Sequence, residues 1–87
     1  MYGISYADTA RLAFRALPPD QRRELIRIIN THIWRDPEPD GLLKHVAWWL
    51  GAMYRLYRDP QQRWVLYVVQ GSDIIISGVG VGRPALP

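Results

Sequence analysis

The segment from Asp36 to Gly41, DPEPDG, divides this chain into two stretches with different hydrophobic periods. Two prolines in six residues remove backbone donors and disfavour the α conformation just before each ring, so neither a helix nor a central strand passes through. Upstream, apolar residues recur at spacings of three and four; downstream they alternate. Helices before the joint and a sheet after it give an α+β layout.

Upstream, Tyr2 to Ala7 alternates Tyr2, Ile4 and Tyr6 with small residues and reads as a short strand. Asp8 or Thr9 can cap the helix that follows, in which Leu12, Ala13, Ala16 and Leu17 share a face, with Arg11 and Arg15 opposite. Pro18 and Pro19 end it, and Pro19 with Asp20 opens a second helix, about Asp20 to Trp34, with an apolar stripe at Leu25, Ile28, Ile29 and Ile33. Arg22, Arg23 and Arg27 lie off that stripe and read as a solvated face.

Downstream, Val46 to Leu50 is apolar and aromatic. Met53 to Arg58 alternates, Asp59-Pro60-Gln61-Gln62 is a turn, and Arg63 to Gln70 is a strand rich in Val, Leu and Tyr. Gly71-Ser72-Asp73 is a second turn before a last strand from Ile74 to about Val79. The expected order is β-α-α-β-β-β: an N-terminal strand, an α-helical hairpin and a three-stranded antiparallel meander, in one domain over residues 1–87.

An 87-residue chain that is 48% hydrophobic has enough apolar side chains for one core, but little surplus. With no cysteine, disulfides, zinc knuckles and thiol nucleophiles are excluded. No apolar run is long enough to cross a membrane and the N-terminus lacks a signal pattern, so a cytoplasmic protein without membrane contact is expected. Residues 1–43 balance six arginines against six carboxylates, whereas residues 44–87 carry five basic residues against Asp59 and Asp73. The whole surplus of +3 lies in the second half. That asymmetry suits a phosphate-binding surface and is equally common in proteins that bind no nucleic acid.

Conventional catalytic sets are absent. No serine stands in a nucleophile elbow, no HExxH occurs, and His32 and His45 fall on different elements, so neither a metal site nor a cofactor is expected. His32, on an amphipathic helix, reads as structural. The glycine run ending at Arg83 has no following helix and is not a phosphate loop. What remains is YRLYRDPQQRWVLYVV, Tyr54 to Val69, where arginines alternate with aromatics. Arginine grips phosphate with paired hydrogen bonds and tyrosine stacks on bases, which are the parts of a metal-independent ribonuclease. The same residues also serve as cross-strand packing and solubilising groups.

The motifs ALPPDQRRELIRII, the DP after the second helix, MYRLYRD, RWVLYVV and DIIISGVGVGR, taken in this order, resemble the RelE/ParE superfamily of small bacterial toxins. The resemblance spans about Tyr2 to Arg83. It implies the toxin of a type II toxin–antitoxin module, with a RelE-like ribosome-dependent mRNA endonuclease (an mRNA interferase, blocking translation) as the first activity. The alternatives are a ParE-like inhibitor of DNA gyrase and a catalytically attenuated homologue that binds its antitoxin.

By position, the resemblance makes Arg55, Arg63 and Arg83 the catalytic candidates, and Tyr57, Tyr67, Lys44 and Arg58 the substrate-binding ones. Tyr57 stands where a second basic residue is common, and Trp64, not Arg63, lies three residues before Tyr67. No tyrosine or histidine follows Arg83. Implied partners are a cognate antitoxin with the ribosome and mRNA, or with gyrase. Val46 to Leu50 and the Ile26/Ile33 side of the second helix are candidates either for the core or for a partner surface.

Overall fold

Alternation downstream of the joint produces four consecutive antiparallel strands, one more than expected. The computed structural model describes residues 2–49 and 51–83, Trp49 by its backbone alone. The strands are β1 (Gly3–Tyr6), β2 (Lys44–Trp49), β3 (Ala52–Arg58), β4 (Arg63–Gln70) and β5 (Asp73–Val81). The helices are α1 (Asp8–Ala16) and α2 (Pro19–Ile28), the latter continued by one π turn, Ile29–Ile33. The additional strand is β2, which pairs with β3 through Val46 opposite Arg55 and Trp48 opposite Met53.

The sheet runs β1-β5-β4-β3-β2. It is mixed, because β1 lies parallel to β5, Ile4 opposite Ile74 and Tyr6 opposite Ile76, while the other pairs are antiparallel. A parallel neighbour needs a crossover, and the helical hairpin is part of that connection. The helices therefore cover one face of the sheet. On that face Leu25, Ile28, Ile29 and Ile33 pack with Tyr57, Val65, Tyr67, Ile74, Ile76 and Val79. Each fully buried Leu or Ile stabilises the fold by about 1.5–3 kcal/mol before entropy is counted.

The α2 stripe is buried as its spacing predicts, but the helix is not α-helical to its end. Positions 25, 29 and 33 are four apart, and four residues of α-helix overshoot a full turn by about 40°. The π turn, closed by Trp34 N–H donating to the Ile29 carbonyl at 2.8 Å, accompanies the burial of Ile33 over the sheet. The Trp34 indole then donates to the Tyr2 carbonyl at 2.7 Å, tying the end of the helix to the start of β1.

The buried face of α1 differs from expectation. Ala10 is fully buried and Ala13, Phe14 and Leu17 pack against the core, whereas Leu12 is 61% exposed and Ala16 is also exposed. Neither Asp8 nor Thr9 caps the helix; Ala7 is the N-cap residue and makes no side-chain bond. Thr9 instead donates its hydroxyl to the Ser77 carbonyl at 2.6 Å. Ser77 is the extra residue of a bulge in β5, where Leu66 faces Gly78 and Tyr67 faces Ile76. The bulge reverses the alternation, so Ile74, Ile76 and Val79 all reach the core although strict alternation forbids it.

Candidate functional site

Directly paired residues share a face of a sheet, so register decides where each candidate points. Arg55 is opposite Tyr67, Tyr57 opposite Val65, and Lys44 opposite Tyr57, which places all of them on the helix-covered face. Strand β4 carries no extra residue, so Arg63 shares that face with Val65 and Tyr67. Arg58 and Trp64, opposite each other, lie on the other face. There the Trp64 ring lies over Gly80, where a Cβ would come within 2.6 Å of it. A glycine at 80 leaves the ring that room, while at Gly78 an added Cβ would make a tighter but less severe contact, 3.3 Å from the ring.

Three of the seven candidates converge on the DPEPDG joint. The buried Lys44 ammonium donates to the His32 carbonyl at 3.1 Å and to the Asp36 carbonyl. Arg55 donates to the Pro37 carbonyl at 3.1 Å and pairs with Glu38 at 3.4 Å, and the Tyr67 hydroxyl donates to the same Pro37 carbonyl at 2.7 Å. The joint lacks a regular hydrogen-bonding partner strand, so its carbonyls take side-chain donors instead. Asp40 completes the turn by accepting from the backbone N–H groups of Leu42, Leu43 and Lys44. Those backbone bonds, led by the one from Lys44, hold its carboxyl at about 2.

Two more candidates, Tyr57 and Arg63, belong to a second cluster where α2 meets the β3–β4 turn. Arg63 donates from Nε to Asp59 at 2.9 Å, from Nη1 to Glu24 at 2.7 Å and from Nη2 to Gln61 at 3.3 Å. The same Glu24 oxygen accepts from Arg27 at 3.1 and 2.9 Å. Tyr57 donates to Asp59 at 3.1 Å, and its ring lies 5.5 Å from that of His32. Burial and the neighbouring Asp59 push the Tyr57 phenol up to about 12. Burial tends to raise Asp59 too, but hydrogen bonds from the Arg63 backbone and guanidinium and from Tyr57 outweigh it and hold that carboxyl low. Glu24 is held low chiefly by its hydrogen bond from Arg27.

Arg58 and Arg83 remain open. Both are exposed, and neither bonds another described residue through its side chain. Arg58 borders a shallow depression of about 470 Å³ with Leu42, His45, Leu56 and Pro60. Arg83 is held beside the β3–β4 turn, because Gly82 N–H donates to the Gln62 carbonyl at 2.7 Å.

Chemically, the arrangement supplies anchored cations more than reactive groups. A general acid or base works best with a pKa near the ambient pH, and burial moves both Tyr57 and Tyr67 upward, away from it. No group of three or more potential metal-binding side chains occurs among the described residues, and no helix among them is long and apolar enough to cross a membrane. The sequence did not single out Glu24, Asp59, Arg27 or Pro37. Asp59 carries a local signal, since its Oδ1 also accepts from the N–H groups of Gln61 and Arg63 within the turn. Glu24 lies 39 residues from Arg63 and carries none.

Of the proposed partner surfaces, Ile33 is core, while Ile26 is partly exposed. Val46, Trp48 and Met53 stand together on the outer end of the β2–β3 hairpin, each more than half exposed. Leu50 and the side chain of Trp49 lie outside the described residues.

By sequence, the chain matches no family model and no curated protein. By structure it is similar to a chain of the toxin–antitoxin complex RelBE2 from Mycobacterium tuberculosis, with a TM-score of 0.75 and 18% identity over 92% of this chain and 96% of that one. It is also similar to the isolated RelE toxin of E. coli, with a TM-score of 0.71 and 14% identity over 98% and 88% of the two chains. A conserved hypothetical protein from Helicobacter pylori gives 0.67 at 13% identity, over 93% and 94%. The strand, helical hairpin and antiparallel strands expected from the sequence, joined in a mixed five-stranded sheet, are thus the fold of the RelE toxins.

Proposed function

We propose that this chain is the toxin of a toxin–antitoxin pair, restrained by a cognate antitoxin, and that it acts by occupying a macromolecular target rather than by cleaving RNA. The toxin half is supported by likeness of fold to chains from toxin–antitoxin complexes at nearly full coverage. The mode of action is supported by one observation: Arg63 has Nε, Nη1 and Nη2 engaged by Asp59, Glu24 and Gln61. Three of that guanidinium's five N–H donors are thus committed, and the Asp59 and Glu24 carboxylates beside it oppose the approach of a phosphate. The exposed Val46, Trp48 and Met53 supply the kind of apolar surface that protein partners cover. DNA gyrase is the target that the ParE side of the resemblance implies.

The test is to induce the chain in cells, with and without its antitoxin, while mapping mRNA 5′ ends and assaying supercoiling by purified gyrase. Growth arrest with inhibited supercoiling and no new 5′ ends is the expected result; new ends within coding regions would refute it.

A second reading, the ribosome-dependent mRNA endonuclease, is favoured by the likeness to the isolated RelE toxin and by Arg58 and Arg83, which remain open. Under it Arg55, Arg63 and Arg83 act on the scissile phosphate. The same 5′-end map, repeated with Arg83→Ala, decides between the two.

A further inference from the structure

Two guanidinium groups from distant parts of the chain, Arg27 on α2 and Arg63 at the start of β4, point at one oxygen of Glu24. That oxygen receives three N–H donors, and the Glu24 side chain is 45% exposed, so the meeting point is open to solvent. Convergent arginine donors at an accessible point are how proteins hold phosphate. Here the anion is already present and belongs to the chain. With Asp59 on the other side of Arg63, two cations are balanced by two carboxylates and no charge is left to attract a ligand.

We infer that Arg27 and Arg63 form a phosphate-binding site closed by Glu24, and that Glu24 is the residue that keeps nucleic-acid backbones off this end of the molecule. The inference is independent of the toxin reading, since it concerns only what the purified chain binds. Neutralising Glu24 leaves two guanidiniums aimed at one point with Asp59 as their only counter-charge. Their mutual repulsion is then relieved by an anion from solution, and a phosphodiester offers two non-bridging oxygens for the two donors sets. Asp20, on the same helix, provides the control: it pairs with Arg23 at 2.6 Å, so its neutralisation also frees one arginine and adds one positive charge, but assembles no convergent pair.

The experiment measures binding of a short fluorescent single-stranded RNA to the full chain by anisotropy at several salt concentrations. Glu24→Gln is expected to bind about tenfold more tightly than the wild type, with a salt dependence steeper by about one phosphate contact. Asp20→Asn should change affinity by less than about twofold, a weak effect expected of an exposed, screened charge. Adding Arg63→Ala to Glu24→Gln should return binding to the wild-type level. Glu24→Ala, which leaves no amide between the arginines, should behave as Glu24→Gln does. Equal affinities for Glu24→Gln and Asp20→Asn would overturn the inference, as would persistence of tight binding without Arg63. Loss of folding in both Glu24 variants would overturn it too, by making Glu24 a structural keystone.

Discussion

Tyr67 donates its phenolic hydroxyl to the carbonyl of Pro37, 30 residues away in sequence, at 2.7 Å within the buried core. The bond joins the central strand β4 to the joint that separates helix from sheet. Because Arg55 reaches the same carbonyl, removing the hydroxyl does not orphan the acceptor. Tyr67→Phe should therefore cost only about 1 kcal/mol, the net value of one hydrogen bond, and lower the melting temperature by about 4–8 °C. Tyr67→Ala also empties a large core volume and should cost about 3–5 kcal/mol. Thermal unfolding followed by circular dichroism separates the two.

Lys44 is buried with its ammonium on two carbonyls, one of them at the end of the α2 extension. Lys44→Met keeps the stem and deletes the donors. It should destabilise the fold by about 1.5–3 kcal/mol, since two part-buried carbonyls lose a charged donor. Urea denaturation checks this, with an unchanged slope showing that the fold is retained.

Asp40 sets a pH dependence. Its carboxyl is at about 2 in the folded chain against an ordinary value of 3.8. A depressed carboxylate contributes stability that is fully present above the unfolded value and disappears as pH falls through the folded one. The wild type should thus lose melting temperature between about pH 4 and pH 2, and Asp40→Ala should show a shallower loss over that window. Parallel acid profiles would count against this role for Asp40.

Gly80 is the position where Trp64 leaves no room, with an added Cβ 2.6 Å from the ring. Gly80→Ala should destabilise by about 1–3 kcal/mol through overpacking. In the Trp64→Ala background the same substitution should cost much less, and a double-mutant cycle on unfolding free energies measures that coupling. Additive effects would place the strain elsewhere.

The order strand, two helices, antiparallel strands is local information, legible from the 36–41 joint, from the i, i+4 stripe at Leu25, Ile29 and Ile33, and from alternation in Arg63 to Gln70. Propensity and period are properties of neighbouring residues, so they survive without tertiary contacts. The buried face of α1 was misplaced by spacing alone: Ala10 and Phe14 are inward and Leu12 outward, because what lies above a nine-residue helix is chosen by the strand beneath it.

The candidate site divides in the same way. Arginines and tyrosines between Tyr54 and Val69 are plain in the sequence, but which of Arg63 and Trp64 faces the helices is not. Register resolved it, by placing Arg63 with Tyr67 on the covered face and Trp64 against Gly80 on the other. Glu24, 39 residues upstream, then neutralises Arg63. Residue type and period determined which elements form and which side chains could hold an anion. Whether those side chains are free to do so depends on long-range pairings of charge, and such pairs exist only when the chain has folded and brought α2 against the end of the sheet.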